Sequence, residues 1–309
     1  MIEEAHEKSQ EDKFITDVLG EMFAVKGTKI RSEKTKLHYY RALNAFAEMI
    51  GDKPRLSDLN RERIVKFMSW IRESRGICAE TINCHRKNLV AIWQWAFNQK
   101  LVNRLPMVER MPVPKRIPKA FTVNELERLM DACGRIRGET NGMQNSVLLK
   151  TVIALVMDTG VRAGELFSFK WEWIDWTGGW IHVPAEYRKG GMYDARYGLL
   201  GDTLVWLKSF KKDYGPIFNC ESVPGNYYDL WDQLLREAGI QVNRRNKTQC
   251  LRRTFATLIE AGGGHAPTAL GVKVVEMVRK HYLDPSMIDI KCAEKIPFRT
   301  LSLGKDGKK

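Results

Sequence analysis

The sequence predicts a mainly α-helical protein with one small antiparallel β-sheet, divided into two domains. Apolar residues recur at helical spacing through the first hundred residues and again through most of the second half. A proline-rich stretch at 102–120 separates the two halves. A short alternating run at 180–184, followed by a turn that contains glycines, predicts the sheet. The length of 309 residues agrees with two domains, at roughly 150 residues each.

The first half predicts a compact helical bundle. The expected helices lie at about 14–26, 32–50, 61–74 and 80–100. Residues 1–12 are polar and are expected to be frayed, so the first domain covers 13–101. Basic, hydroxyl and amide residues lie near the helix starts and predict a face that follows a phosphate backbone, whereas any one of them alone is compatible with a solvated helix face. The residues assigned to this DNA-binding face are Lys34, Thr35, Arg41, Thr81, Asn83, Arg86 and Lys87.

Residues 102–120 contain four prolines and five basic residues. Because proline removes hydrogen-bond donors and keeps the chain extended, the segment predicts a linker between the domains. Its positive charge suits contact with a DNA backbone, as in a two-domain clamp around a duplex.

The second domain is expected to cover 121–288, followed by a basic, disordered tail at 289–309. Thr122 and Glu125 have the spacing of a capping box at the start of a helix. The run at 168–174 alternates between apolar and polar residues, and the strand at 180–184 is expected to return after the turn as a hairpin. The further helices are expected at about 123–134, 145–158, 202–213, 226–239, 251–262 and 272–282.

Composition narrows the class of function. The formal charge is 50 − 37 = +13, which favours a polyanionic partner, with nucleic acid ahead of a membrane surface. No apolar run reaches the roughly 18 residues of a membrane span, and the acidic N-terminus lacks the core of a signal peptide, so a cytoplasmic, DNA-associated protein is expected. Six scattered cysteines predict reduced thiols. Nucleotide-binding and metalloprotease motifs are absent from the sequence, so neither a nucleotide cofactor nor a catalytic metal is expected.

The most informative stretch is Met-Asp-Thr-Gly-Val-Arg-Ala-Gly-Glu-Leu at 157–166. Arg162 lies between an apolar run and a tryptophan-rich segment. Glu165 follows it by three residues, so on a helix the two would share a face and pair. A guanidinium oriented in this way has donors available for a phosphate. Glu165 is therefore expected to orient Arg162 rather than to catalyse.

Four motifs, in order, resemble those of the tyrosine recombinases of the phage-integrase superfamily. The run at 157–175 resembles the family's first arginine motif, and Leu-Arg-Arg-Thr-Phe-Ala-Thr at 251–257 resembles the second. The run at 270–285 resembles its Leu-Gly…Tyr ending, and the turn at 187–191 lies where the family places a catalytic lysine. The helical first half is similar to the family's core-binding domain. The resemblance implies a SAM-like core-binding domain followed by an α+β catalytic domain.

The resemblance also implies a chemistry. Arg162 and Arg252 would stabilise a phosphorane-like transition state, Tyr282 would attack the phosphorus and hold the strand covalently, and Lys189 would protonate the leaving 5′-hydroxyl. The implied protein is a site-specific recombinase or integrase of a mobile element. It would cut and rejoin double-stranded DNA through a 3′-phosphotyrosine, as a homotetramer on paired sites, without metal or ATP. The neighbours that compete for the roles of the second arginine and the lysine are Arg253 and Arg188.

Two positions depart from the family's pattern. Gln249 stands where the second motif has a histidine, and Val272 stands where the third has histidine or tryptophan. Gln249 can donate a hydrogen bond to a phosphate but does not titrate near neutral pH, and Val272 offers no donor. His265 and His281 are nearby candidates for the missing imidazole. Loss of general acid–base help, typically worth about 10²–10⁴-fold, would slow cleavage without necessarily abolishing it.

Three functions therefore remain open at the level of sequence. The first is an active recombinase, favoured by the retention of Lys189 and Tyr282. The second is a recombinase-derived DNA-binding protein that no longer cleaves, kept open by Gln249 and Val272. The third is a type IB topoisomerase-like enzyme that relaxes DNA with the same chemistry.

Overall fold

The computed structural model of the chain describes residues 12–26, 33–114, 116–188, 193–272 and 275–288. The chain divides into two compact units, Met1–Lys115 and Arg116–Lys309. The predicted fold class, mainly helical with small antiparallel sheets, is confirmed. The predicted features that lie outside the described residues are the N-terminus before residue 12, Lys189, Cys292 and the tail at 289–309.

The described part of the first unit contains four α-helices: α1 (Ile15–Lys26), α2 (Glu33–Ile50), α3 (Arg61–Arg75) and α4 (Ala79–Asn98). Helix α3 begins where the Asn60 side chain accepts a hydrogen bond from the Arg63 amide, and it ends at Gly76 in the left-handed conformation. Helix α4 packs against the other three helices. Their apolar faces share one core, whose members include Leu19, Phe46, Phe67, Leu89 and Ile92.

The proline-rich segment up to Met111 lies along α4. Val108 is 5% exposed and packs into the core of the first unit. Asn83 donates to the Met111 carbonyl and accepts from the Met111 amide, both at 2.9 Å. Arg86 donates to the Val108 carbonyl. This part of the expected linker is therefore fixed to a helix by side chains rather than extended in solvent.

The second unit begins with α5 (Val123–Cys133), and its predicted capping box is confirmed. Thr122 accepts from the Glu125 amide at 3.2 Å, and the Glu125 carboxylate accepts from the Thr122 amide at 2.9 Å. The remaining helices are α6 (Asn145–Thr159), α7 (Ala163–Leu166), α8 (Gly201–Lys208), α9 (Tyr227–Glu237), α10 (Gln249–Ala261), α11 (Ala266–Ala269) and α12 (Val275–His281).

The predicted hairpin is confirmed. The strands are β1 (Glu139–Thr140), β2 (Met143–Gln144), β3 (Ile174–Asp175), β4 (Trp180–Val183) and β5 (Ala195–Gly198). Strands β3, β4 and β5 form an antiparallel sheet in that order, with Val183 opposite Ala195. The alternating run at 168–174 contributes only one residue to β3, because Trp171–Trp173 forms a 3₁₀ turn. The small β1–β2 hairpin and α11 are additions that the sequence did not predict.

Helix α6 lies in the core of the second unit and packs against α5 and α10. It ends at Gly160, which has a φ of 61°. A Cβ at Gly160 would lie 2.3 Å from the Phe255 ring, so only glycine permits both this turn and the close approach of α10. The turn therefore brings the residues that follow it, including Arg162, next to α10.

No helix in the described part of the chain has the length and apolar character needed to cross a bilayer. The five described cysteines are free thiols, as predicted: Cys78, Cys84, Cys133, Cys220 and Cys250.

Candidate active site

The centre of the candidate site is Arg252, in the first turn of α10. It is 2% exposed, and its Nη1 donates to the carbonyl of Gly160. Its Nε and Nη2 are buried and have no hydrogen-bond partner among the described residues. Burying a charged group is unfavourable unless it is paired and hydrogen-bonded. A buried guanidinium with two free donors and no carboxylate among the described residues therefore indicates a place for an anion.

Tyr282 lies directly after α12 and is half-buried. The guanidinium carbon of Arg252 is 5.2 Å from the centre of the Tyr282 ring. Burial raises the pKa of the Tyr282 phenol, but the attraction of Arg252 and Arg162 for the phenolate outweighs burial and leaves the pKa below its ordinary value. The site thus combines a tyrosine hydroxyl with two cations that favour its ionised, nucleophilic form.

Arg162 lies at the N-cap of α7, with an extended backbone (φ −79°, ψ 148°). Burial, and then the charge of Arg162, lower the pKa of Arg252. The two guanidiniums are thus close enough to repel each other. Within the described ranges neither forms an ion pair with a carboxylate, although Glu165 is adjacent in the same motif. A phosphate, which accepts several charge-assisted hydrogen bonds, suits this pair.

Glu165 does not pair with Arg162, which corrects the expectation from sequence. Its carboxylate is 5% exposed and accepts from Arg188 Nε at 3.2 Å and from the Tyr197 hydroxyl at 2.8 Å. Because Arg162 precedes α7 instead of lying within it, the three-residue spacing does not place the two side chains on one helical face. Burial and the charge of Glu165 raise the pKa of Tyr197 to about 12.

Arg188 lies at the base of the β4–β5 hairpin and is already engaged. Besides Glu165, its Nη1 donates to the carbonyls of Tyr193 at 2.7 Å and Asp194 at 3.3 Å. Arg188 therefore joins the hairpin to the first arginine motif. Lys189, the predicted general acid, lies outside the described residues, so its role stays a prediction.

The positions that depart from the family's pattern are half-buried. Gln249 is the first residue of α10, and Val272 packs against an apolar cluster that includes Phe255 and borders Tyr282. Neither side chain titrates near neutral pH. His265 is exposed and its Nδ1 is 2.7 Å from the hydroxyl of Thr268, while His281 is exposed at the end of α12. The described geometry thus engages His265 elsewhere and adds no contact that supports either histidine as a substitute.

Of the residues assigned to a DNA-binding face, Lys34, Thr35, Arg41 and Lys87 are exposed and Thr81 is half-buried. Asn83 and Arg86 need correction, because their side chains bind the backbone of Met111 and Val108. Proline lacks an N–H donor, and in this segment the two side chains supply hydrogen bonds to Met111 and Val108. No pattern in the sequence indicated that this segment lies on α4.

Two further residues of the site were missed. Gly160 supplies the carbonyl that holds Arg252, and its place after an apolar helix is the usual signal of a C-cap. Tyr197 on β5 donates a hydrogen bond to Glu165. The one sign of this contact in the sequence was the position of Tyr197 in the strand predicted to follow the turn of the hairpin. The described residues include no cluster of three or more histidine, cysteine or acidic side chains that could hold a metal ion.

The helical first unit, and a second unit that brings Arg162 and Arg252 next to Tyr282, agree with the arrangement that the motifs predicted. No protein-family model matches the chain. In sequence it is 26% identical over 197 residues to IntQ of Escherichia coli (strain K12), a protein named as defective; the match covers 59% of this chain and 46% of IntQ. It is 25% identical over 229 residues to the tyrosine recombinase XerA of Saccharolobus solfataricus, covering 71% of each chain. The chain is thus a relative of the tyrosine recombinases, as its motifs predicted.

Solved structures share the fold. The Tn1549 transposon integrase, in complex with a circular intermediate DNA, superposes with a TM-score of 0.66 at 13% identity, over 93% of this chain and 99% of the integrase. The site-specific recombinase XerH, bound to a palindromic difH substrate, superposes with a TM-score of 0.65 at 17% identity, over 85% of this chain and 80% of XerH.

Proposed function

We propose that the chain is a site-specific DNA strand transferase of the recombinase or integrase type. The observation that carries this proposal is the buried guanidinium of Arg252 beside Tyr282, whose Nε and Nη2 have no hydrogen-bond partner among the described residues. A DNA phosphate would receive hydrogen bonds from Nε and Nη2 and would offset the repulsion between Arg252 and Arg162. The phenol whose pKa these arginines lower would then stand next to the phosphorus.

In the proposed reaction the Tyr282 phenol first loses its proton to solvent, its phenolate oxygen bonds to the phosphorus, and the bond from phosphorus to the 5′ oxygen breaks. The leaving oxygen takes a proton, which the resemblance assigns to Lys189. Arg162 and Arg252 stabilise the charge on the non-bridging oxygens. The 3′-phosphotyrosine keeps the energy of the bond, so a 5′-hydroxyl of another strand can reverse the attack without metal or ATP.

The proposed partner is double-stranded DNA, and the proposed assembly is a homotetramer on paired sites. The exposed cations of α2 and α4 and the net charge of +13 support DNA binding by the first unit. Residues 13–101 would bind DNA, 121–288 would carry the chemistry, and 102–120 would connect them.

A second candidate is a DNA-binding protein that no longer cleaves. Gln249 and Val272 favour it, because neither supplies the imidazole that the family's pattern places beside the phosphate. Such a protein would bind a specific DNA site with a strong dependence on salt, and it would form no covalent adduct.

A nicked suicide substrate separates these candidates. The DNA is taken from the flanks of the locus that carries the gene, and the assay contains EDTA and no ATP. We expect an adduct that resists SDS in the wild type and is absent in Tyr282→Phe, which still binds DNA. Tyr228→Phe is the matched control, because Tyr228 is 48% exposed on α9, and it should form the adduct. If the wild type binds this DNA specifically and forms no adduct, the second candidate is correct.

A further inference from the structure

One buried hydroxyl on α10 fixes the backbone that carries Tyr282. Thr257 is fully buried. Its Oγ1 donates to the Tyr282 carbonyl at 3.3 Å and accepts from the Asp284 amide at 3.0 Å. A single side chain therefore holds the main chain on both sides of Leu283.

Asp284 extends this network to the start of the second unit. Its carboxylate is 6% exposed and accepts from the Ala120 amide at 2.9 Å. The same carboxylate accepts from the amide and the hydroxyl of Ser286, at 3.1 Å and 2.7 Å. A buried polar network whose members are all satisfied restricts its parts to one arrangement. The segment after Tyr282 is thereby fastened both to α10 and to the chain that leads into α5.

The other contacts of Tyr282 involve its amide, its ring and the two arginines. Helix α12 spans Val275–His281, and Val278 is its buried residue within the described part. The Tyr282 amide donates to the Val278 carbonyl at 2.9 Å, and the ring is half-buried. Arg252 and Thr257 belong to the same helix, so the contact from Thr257 ties the main chain of Tyr282 to the helix that carries the guanidinium.

We propose that Thr257 is a positioning residue that holds Tyr282 against Arg252, and that Asp284, whose amide donates to Thr257, completes this hold. The inference rests on the proposed strand transfer and adds to it what places the nucleophile. A displacement of about 1 Å can slow a positioned reaction by about 10²-fold, so the loss of one hydroxyl should be measurable.

Thr254 provides a matched control on the same helix. It is also fully buried, and its hydroxyl accepts from the Phe121 amide at 2.8 Å and donates to the Cys250 carbonyl at 2.9 Å. Thr254→Val therefore removes the same kind of buried hydrogen bond as Thr257→Val. Only Thr257, however, contacts the segment that carries Tyr282.

The first readout needs no cleavage. The Tyr282 phenol is titrated by NMR in protein labelled at tyrosine, with Tyr282→Phe assigning the signal. In the wild type and in Thr254→Val we expect a Tyr282 pKa below the ordinary value. In Thr257→Val the pKa should rise towards the ordinary value as the phenol moves away from Arg252 and Arg162, and Thr257→Ser, which keeps the hydroxyl, should restore it.

The second readout is the single-turnover rate of adduct formation at saturating DNA. Thr257→Val should be roughly 10- to 100-fold slower, with an unchanged Kd for DNA, whereas Thr257→Ser and Thr254→Val should stay close to the wild type. The inference is overturned if Thr257→Val and Thr254→Val show the same Tyr282 pKa and the same rate of adduct formation. If the wild type forms no adduct, the proposed function fails, and the titration still decides the inference. If Thr257→Val does not fold, Asp284→Asn is titrated instead, and an unchanged Tyr282 pKa there overturns it.

Discussion

Two arginines of the second unit, Arg188 at the hairpin base and Arg252 on α10, are in opposite states. Arg188 is half-buried and directs its donors to the carboxylate of Glu165 and to two carbonyls. Arg252 is more deeply buried, yet within the described ranges it donates to one carbonyl and has no carboxylate partner. Arg188, which is paired with a carboxylate, has the bonding of a structural residue, whereas Arg252, whose Nε and Nη2 lack partners among the described residues, has the bonding of a residue that awaits a ligand. Whether the buried donors of an arginine have partners therefore distinguishes a structural arginine from one in a candidate binding site.

The largest effect should follow from Arg252→Met. We expect adduct formation to fall by about 10²–10³-fold, because donors to the transition state are removed. The free energy of unfolding should not decrease, because an unpaired buried charge is replaced by an apolar side chain of similar length. Single-turnover cleavage and urea unfolding measure the two quantities. Arg253→Met is the control, since Arg253 is half-buried; loss of cleavage in that variant alone would exchange the roles of the two residues.

Gly160→Ala should destabilise the second unit by about 2–4 kcal/mol, because it combines a left-handed backbone with overpacking. The added Cβ would lie 2.3 Å from the Phe255 ring. Gly164→Ala is the matched control in the same motif, since a Cβ there has no neighbour within 4 Å. Denaturant unfolding of the two variants compares them. Equal stabilities would contradict the packing of α10 on this turn.

Arg188→Met should destabilise the fold by about 1–3 kcal/mol, because Glu165 would keep its buried charge without a cation; the partial exposure of Arg188 limits the effect. Unfolding in urea measures this change. A variant of normal stability that fails to cleave would instead make Arg188 a ligand of the substrate, and the contrast between the two arginines would disappear.

The pH profile should show the smallest effect. The folded-state pKa of Tyr282 is lowered, so the phenolate fraction and the cleavage rate should rise with pH and level off below about 10, the ordinary tyrosine value. Because this pKa is lower in the folded state than in the unfolded state, the ionised phenol stabilises the fold at high pH. This stabilisation is lost as the pH falls through the lowered pKa. Arg252→Met should move the inflection upwards. An inflection near 6.5 that disappears on replacing His265 or His281 would show that an imidazole acts after all.

Sequence patterns predicted the features that depend on residues within a single helix or motif. Thr122 and Glu125 form the predicted cap because their spacing alone determines it. The motifs likewise selected Arg162, Arg252 and Tyr282, and the structure brings these three together. Their meeting depends on Gly160, which both ends α6 and admits Phe255.

The predictions that were wrong concerned features determined by contacts between distant parts of the chain. Pairing of Glu165 with Arg162 was wrong because the spacing rule requires both residues to lie within a helix, and Arg162 is a cap. Asn83 was assigned to DNA because the sequence does not show that the proline-rich segment lies on α4. Helix α11 was missed because it follows a run of glycines and contains Pro267, which the first turn of a helix tolerates.

The most direct measurement is the identity of the residue that carries DNA. The adduct formed by the wild type on the nicked substrate is digested with protease and nuclease and examined by mass spectrometry. We predict a nucleotide joined through its 3′-phosphate to Tyr282, in an amount that falls sharply in Arg252→Met. A nucleotide on another tyrosine, or no adduct on DNA that the protein binds specifically, would contradict a phosphate site built from Arg252, Arg162 and Tyr282.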